Sequence, residues 1–134
     1  SGEVDWFGDG KLVYANFCAA CHQAAGTGNP ANGCPPVAGA DWVLAEGPNR
    51  LIRLILHGAG GPIEVNGQTW NGVMPPWKDV LSDDQIAAVL TYIRADWGNK
   101  AAPVTPEKVA AIRAAEAGRT AAWTAAELLK LPDL

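Results

Sequence analysis

Two cysteines and a histidine lie within five consecutive residues of this chain, where Cys18, Cys21 and His22 form the sequence CAACH. Two cysteines separated by two residues can bind zinc, cycle between dithiol and disulfide, or attach a haem covalently. A zinc site would need a second close pair of ligands, and Cys34 with His57 is a poor substitute. A thioredoxin-like site would need a βαβ unit around the motif, and no such pattern is visible. The histidine directly after the second cysteine therefore favours haem attachment, with its imidazole binding the iron from one side.

The only methionine of the chain, Met74, lies in the sequence NGVMPPW. A thioether is one of the side-chain groups that fill the remaining axial position of a haem iron, and it raises the reduction potential. Pro75 and Pro76 should stiffen the segment after Met74, and Gly72 lets the backbone fold tightly before it. Methionines also fill gaps in protein cores. Beside CAACH, however, this methionine is interpreted as an iron ligand.

Three amphipathic helices are predicted around these two motifs. The first covers residues 9–18 and the second covers residues 48–57, because apolar side chains recur there at helical spacing. The third is the clearest, since SDDQ at residues 82–85 forms a capping box before an apolar stripe that ends near Gly98. The two aspartates of that box suit the positive end of a helix dipole, so they do not indicate a metal site.

Loops and one hairpin are predicted between the helices. Residues 23–41 are rich in Gly, Pro and Asn, which is typical of a loop. Residues 63–65 alternate apolar and polar side chains before Asn66-Gly67, which favours a short hairpin or an Ω-like loop.

Beyond residue 100 the composition becomes rich in alanine. A fourth helix is predicted from Thr105, and a last helical turn from Thr124. Trp123 and the leucines after it could fold back over the domain as a latch or contact a neighbouring domain. We favour the latch, because isolated short helices are only marginally stable in water. The sequence thus predicts a domain at residues 1–100 and a helical extension at residues 101–134 that packs on it.

Residues 8–98 resemble a class I c-type cytochrome, with the haem motif early and the methionine late. The positions that match the helix crossing of this family are Gly10, Tyr14, Val89 and Tyr92. Pro35 matches the proline whose carbonyl accepts a hydrogen bond from the axial histidine, although the residue before it is Cys34 where the family usually has Gly. The resemblance implies an all-α class I cytochrome c fold. Three main helices would surround one covalent haem c, with the C-terminal helical tail as an addition.

The resemblance also implies a set of haem contacts. The residues that it assigns to the haem are Cys18, Cys21, His22, Pro35 and Met74, with His22 and Met74 on the iron. A narrower likeness links the run HGAGGPIEVNGQTWNGVMPPW to cytochromes fused to, or serving, periplasmic quinoprotein dehydrogenases, and to modular cytochromes of polysaccharide-degrading bacteria. In such relatives a Trp or Arg near the haem propionates is common. The candidates for that role are Trp42, Arg53 and Trp70.

Three further residues have side chains that could be functional. His57 could be the sixth iron ligand, but a place at the end of the second helix, where partial positive charge suits the dipole, is the favoured interpretation. Cys34 could form a disulfide with another chain or act as a redox-active thiol, and a small loop residue packed near the haem is favoured instead. Lys78 is the only basic residue near the segment NGVMPPW at residues 71–77, the methionine loop, so we expect a partner to dock on an apolar rim with little electrostatic steering.

The predicted function is one-electron transfer without enzymatic activity. The expected partners are a periplasmic dehydrogenase as donor and an oxidase or copper enzyme as acceptor. Two alternatives stay open at this point: a haem enzyme or gas or redox sensor with a labile sixth ligand, and a docking module of a larger redox protein.

Charge and hydropathy exclude two other classes of partner. The formal net charge is −4 and the sequence pI is about 5.0, which argues against nucleic-acid binding. No apolar run approaches the roughly 18 residues that would span a membrane, and the N-terminus lacks a signal-peptide pattern. Because haem is attached covalently outside the cytoplasm, we expect a bacterial periplasmic protein or one tethered at the cell surface.

Overall fold

The computed structural model describes residues 6–134, and helices dominate it. The elements follow in the order α1 (Trp6–Val13), a π-helical segment (Tyr14–Cys18), α2 (Ala19–His22), a 3₁₀ turn (Pro30–Asn32), α3 (Asp41–Leu44), α4 (Asn49–His57), β1 (Ile63–Val65), β2 (Gln68–Trp70), α5 (Asp83–Ala95), α6 (Pro106–Ala115) and α7 (Ala125–Leu129). None of the helices in this described part has the length and apolar content that crossing a membrane would require.

Helix α1 crosses α5 at Gly10, where the two backbones approach too closely for a side chain. A Cβ atom on Gly10 would overlap the carbonyl of Ala88 and come within 2.7 Å of the Tyr92 Cβ. Beside this contact, the rings of Tyr14 and Tyr92 pack with their centroids 5.6 Å apart. Val89 is fully buried in the same helix. The crossing that the resemblance implied is therefore present, and it fixes the start of the CAACH segment against the longest helix.

The first helix differs in detail from its prediction. It was expected to cover residues 9–18, but the α-helical part ends at Val13 and the chain continues as a π-helical segment as far as Cys18. Helical spacing of apolar residues does not distinguish the two hydrogen-bond patterns, since both keep the chain coiled in the same direction. The short helix α3 was not predicted at all, because its four residues lack a repeating pattern.

The hairpin lies where the sequence predicted it. Strands β1 and β2 pair antiparallel, with Ile63 opposite Trp70. Asn66 and Gly67 have φ values of 53° and 79°, which is the two-residue turn that Asn-Gly favours. The Asn66 side chain also accepts a hydrogen bond from the backbone N–H of Asp41 at 2.9 Å. The hairpin turn therefore fixes the start of α3.

The long loop before α3 is held by residues that follow α5. The Asn99 side chain accepts from the Gly39 N–H at 2.8 Å and donates to the Val37 carbonyl at 3.2 Å. The indole N–H of Trp97 donates to the Ala24 carbonyl at 3.2 Å. Helix α5 itself begins with the predicted capping box at Ser82. These contacts turn a Gly- and Pro-rich segment into a fixed wall.

The chain beyond residue 100 lies against the first turn of α4. Asn49 donates through its side chain to the Pro132 carbonyl at 2.9 Å. Arg50 donates to the carbonyls of Leu128 and Leu131 at 3.1 and 2.9 Å. The predicted helix from Thr105 and the predicted turn from Thr124 are both present as α6 and α7, each capped by its threonine.

Candidate functional site

One apolar cleft contains most of the residues that the sequence assigned to the haem, with the exception of Arg53 and Trp70. Its walls come from the CAACH segment, the loop after it, α3, α4, the first strand and the methionine loop. The residues that line it include Phe17, Cys18, Cys21, His22, Cys34, Pro35, Val37, Trp42, Val43, Leu51, Leu54, Ile55, Ala59, Ile63, Val65, Val73, Met74, Trp77, Leu90, Ile93 and Ala125. Three thiols, one imidazole and one thioether thus share a cleft whose other lining is almost wholly apolar.

The two cysteines of CAACH reach this cleft from successive turns. Cys18 ends the π-helical segment and Cys21 lies in α2, and both thiols are outside any disulfide. Burial, together with the nearby Cys21, raises the pKa of the Cys18 thiol to about 11. The Cys18 side chain is therefore a neutral thiol at physiological pH.

His22 is fixed by one hydrogen bond. Its Nδ1 lies 2.8 Å from the Pro35 carbonyl oxygen. A carbonyl only accepts, so Nδ1 carries the proton and Nε2 keeps its lone pair. Burial lowers the pKa of His22, although this hydrogen bond has the opposite effect. The lowered pKa keeps the ring neutral. The imidazole is therefore oriented as a neutral nitrogen donor, and the bond to Pro35 that the resemblance implied is present.

Met74 lies on another wall of the same cleft, paired with the end of α4. Its N–H donates to the Ala59 carbonyl at 2.8 Å and its carbonyl accepts from the Ala59 N–H at 3.1 Å. Farther along, the N–H groups of Trp77 and Lys78 donate to the carbonyls of Ile55 and Leu56 at 2.9 and 3.1 Å. The methionine loop is thus held by backbone bonds at two points.

The three propionate candidates occupy different environments. Trp42 lines the cleft, but its indole N–H is already used by the Glu64 carbonyl at 2.8 Å. Trp70 is not among the residues that line the cleft; it is buried in β2, and its Nε1 has no hydrogen-bond partner among residues 6–134. A buried donor without a protein partner is costly, so this N–H fits a ligand acceptor such as a carboxylate.

Arg53 is bonded to residues outside the cleft, contrary to its prediction. Its Nε donates to the Glu116 carboxylate at 2.7 Å, and its Nη1 donates to the side-chain oxygen of Asn49. It is not among the residues that line the cleft. The guanidinium is engaged by the residue that caps α6 and by its own helix, so Arg53 is not part of this site. The ion-pair partner of Arg53, Glu116, could not be identified from the sequence, because it is far away along the chain.

His57, the other histidine, ends α4 as expected and is buried outside the cleft lining. Burial and the positive charges of Lys78 and Arg119 lower its pKa, so the ring is neutral and not partly positive as the helix-end argument assumed. Cys34 lines the cleft in the loop before Pro35. Burial and contact with the Cys21 thiol raise the pKa of Cys34 to about 11, which gives a neutral thiol there as well.

Most of the apolar residues that line the cleft were not predicted from the sequence, and Ala59 and Ala125 are two examples. Ala59 forms the backbone pair with Met74, and Ala125 brings the start of α7 to the cleft. Small apolar residues of this kind carry no chemical signal, and their importance depends on which distant segment lies beside them. Nothing in the sequence could have identified them.

The donor set matches a metal held inside a macrocycle better than a metal held by side chains alone. Within the described chain, no group of three or more His, Cys, Asp or Glu side chains is arranged to bind a metal ion. His22 and Met74 supply two ligand atoms on the walls of an apolar cleft, and Cys18 and Cys21 supply two sulfurs at its edge. A flat apolar cofactor with its own metal ligands would use all four groups.

Comparison with known proteins identifies one family, and the similar proteins include a cytochrome and subunits of redox enzyme complexes. A family model described as cytochrome c matches residues 7–97. Cytochrome c-552 of Thermus thermophilus is 42% identical over 114 residues, which cover 79% of this chain and 85% of that protein. The cytochrome c subunit of the quinone-type alcohol dehydrogenase of Komagataeibacter europaeus is 40% identical over 93 residues, covering 69% of this chain but 19% of the subunit. Subunit FixP of the cbb3-type cytochrome c oxidase of Rhizobium meliloti is 31% identical over 91 residues, covering 68% of this chain and 28% of that subunit.

Proposed function

The chain belongs to the cytochrome c family and carries one covalently attached haem c, and on that premise we propose that it transfers single electrons through an iron bound by His22 and Met74. When bound, the haem supplies an iron that alternates between the ferrous and ferric states. The observation that carries the proposal is that the CAACH residues and Met74 line one apolar cleft. This ligand pair would leave the iron no free position for a substrate, which suits a carrier and not an enzyme.

Each side chain of the cleft has a distinct role in this proposal. Cys18 and Cys21 would anchor the cofactor through thioether bonds to its two vinyl groups. His22 offers Nε2 to the iron, while its bond to the Pro35 carbonyl fixes the ring and strengthens its donation. Met74 offers a neutral sulfur, which favours ferrous iron and so raises the reduction potential.

Two tryptophans would contribute at the polar edge of the cofactor. The unpartnered Nε1 of Trp70 is the better donor to a propionate, because the Trp42 N–H is engaged with Glu64. Trp42 would then support the cleft through its ring and its place in α3. Apolar walls elsewhere exclude water, which reduces the reorganisation around the iron when the electron moves.

The proposed partners are a dehydrogenase as donor and an oxidase or copper enzyme as acceptor, outside the cytoplasm. Relatives that are named as cytochrome subunits of an alcohol dehydrogenase and of an oxidase support this proposal. Val73, directly before Met74, lines the cleft and is 81% exposed, so the rim of the site is apolar. We expect docking to depend on such apolar contacts and only weakly on salt. The chain could serve as a free carrier or as one domain of a larger redox protein, tethered or not.

Three measurements on the matured protein test the proposal. Its mass should exceed that of the polypeptide by one haem, and the ferric form should show the weak red absorption band of methionine bound to iron. A redox titration should then give a single one-electron step. Loss of the red band, or ready binding of CO by the ferrous form, would instead indicate a labile sixth position, as in a sensor or a haem enzyme.

A further inference from the structure

The chain beyond residue 100 contacts the segment that pairs with Met74 and the segment that follows the methionine loop. We propose that Trp123 and Arg113 are positioning residues for the axial methionine, and that they set how often Met74 leaves the iron. This inference rests on the proposed function, because it takes Met74 as the sixth ligand. It assigns to the extension a role in ligand exchange as well as in packing.

A ladder of backbone hydrogen bonds forms the first contact. Ala59 is paired with Met74 through the two bonds described above, which lie on one side of the segment at residues 58–60. On the other side, the Trp123 N–H donates to the Gly58 carbonyl at 2.9 Å, and the Gly60 N–H donates to the Trp123 carbonyl at 3.0 Å. The segment that pairs with Met74 is therefore the central member of a three-segment ladder, and one outer member of this ladder belongs to the extension.

The segment around Trp123 is itself well fixed. The Trp123 side chain is 6% exposed, and the Arg119 guanidinium stacks on its ring at 3.4 Å from the centroid. Arg119 also donates to the Ala122 carbonyl at 2.8 Å and forms an ion pair of 3.0 Å with Glu127. The Trp123 ring thus anchors the outer member of the ladder, so its removal should loosen that member without changing any residue of the methionine loop.

Arg113 makes the second contact, at the far end of the methionine loop. Its Nη1 donates to the Lys78 carbonyl at 2.7 Å and its Nη2 to the Leu81 carbonyl at 2.9 Å. Its Nε donates to the Asp83 carboxylate at 2.7 Å. One guanidinium therefore fixes three points of the segment that joins the methionine loop to α5.

The physical consequence concerns local opening. Met74 can leave the iron only if its loop moves away from the cleft, and such local openings have their own free energy, below that of global unfolding. The ladder at Ala59 and the fork of Arg113 are bonds that this movement would strain or break. Each should therefore raise the free energy of loop opening, while the CAACH side of the cleft stays unaffected.

The test uses the ferric holoprotein and measures the rate at which added imidazole replaces methionine, followed by loss of the red band. At saturating imidazole this rate reports how often the loop opens. Arg113→Met and Trp123→Ala should each increase it about tenfold, since a lost hydrogen bond or packing contact of about 1.4 kcal/mol corresponds to one factor of ten. Arg113→Lys keeps the charge and one donor, so it should fall between the wild type and Arg113→Met.

Val109→Ala is the matched control, because Val109 is a fully buried side chain of the same extension and makes none of these bonds. It should lower global stability in urea but change the imidazole rate less than about twofold. Equal rates in wild type, Arg113→Met and Trp123→Ala would overturn the inference, as would an effect of Val109→Ala as large as theirs. A wild type that lacks the red band would instead contradict the assignment of Met74, so the two failures are distinguishable.

Discussion

Replacing Arg94 by Met should remove the main link between α5 and the cleft wall formed by α3. Arg94 is 1% exposed and donates to four backbone carbonyls. The acceptors are Val43 at 2.9 Å, Ala45 at 3.0 Å, Glu46 at 3.4 Å and Ala102 at 2.9 Å. Val43 lines the cleft, so this guanidinium ties the longest helix directly to the site.

The expected loss follows from these four bonds. A hydrogen bond contributes about 1 kcal/mol net, which gives about 4 kcal/mol for the set, and the buried Val43 carbonyl would be left without its donor. Burial also lowers the pKa of Arg94, which means that the charge itself is held at a cost, and methionine would recover part of that cost. We therefore expect Arg94→Met to lower the free energy of unfolding by about 3 kcal/mol.

Urea unfolding of the holoprotein, followed by circular dichroism, measures this change. Lys100→Met is the control, because it removes the same charge from an exposed position and should change stability by less than about 0.5 kcal/mol. A loss of less than about 1 kcal/mol for Arg94→Met would refute the reasoning, since it would mean that the four carbonyls find other donors or that desolvation of the charge cancels the bonds.

Three further changes should have distinct effects. Gly10→Val would force α1 away from Tyr92 and should lower the melting temperature by roughly 10 °C or more, measured by circular dichroism, whereas a wild-type value would contradict the helix contact. The folded-state pKa of His57 lies below its ordinary value of 6.5, so the unfolded chain binds one more proton than the folded chain as pH falls below 6.5. The free energy of unfolding should therefore decline below pH 6.5, and the contribution of His57 should be fully present above it. His57→Gln should flatten this part of the profile of unfolding free energy against pH. Trp70→Phe removes an N–H donor that has no protein partner and should move the pH-dependent step of the reduction potential to higher pH. The reason is that a propionate without that donor ionises less readily. Trp42→Phe should leave the step in place, because the Trp42 N–H is bonded to Glu64.

Local sequence signals predicted the elements that depend on neighbouring residues. The capping boxes at Ser82 and Thr124 and the Asn66-Gly67 turn each satisfy backbone groups within a few positions, so their residue types alone specify them. The CAACH motif likewise carries its chemistry within five residues. Such features need no knowledge of the tertiary structure.

The missed features depend on contacts between distant segments. Arg53 was expected near the cofactor because the resemblance implies a Trp or Arg near the propionates, but Glu116, at the end of α6, engages it instead. Helix α3 has too few residues for a pattern, and it is fixed from outside by Arg94 and by the hairpin turn. A sequence shows which residues can form an ion pair or accept a hydrogen bond, but it does not show which partner the fold will bring to them.

The same difference separates the two sides of the proposed iron site. His22 follows its anchoring cysteines directly and is oriented by Pro35, only 13 positions along the chain. Met74 has no covalent anchor. Its loop is held by α4, by the Ala59 segment that Trp123 supports, and by Arg113 from the extension. Local constraints survive small movements of the fold, whereas long-range ones weaken as soon as packed segments separate. The methionine side should therefore open first under denaturant, heat or a competing ligand, and the histidine side should stay closed until the chain unfolds.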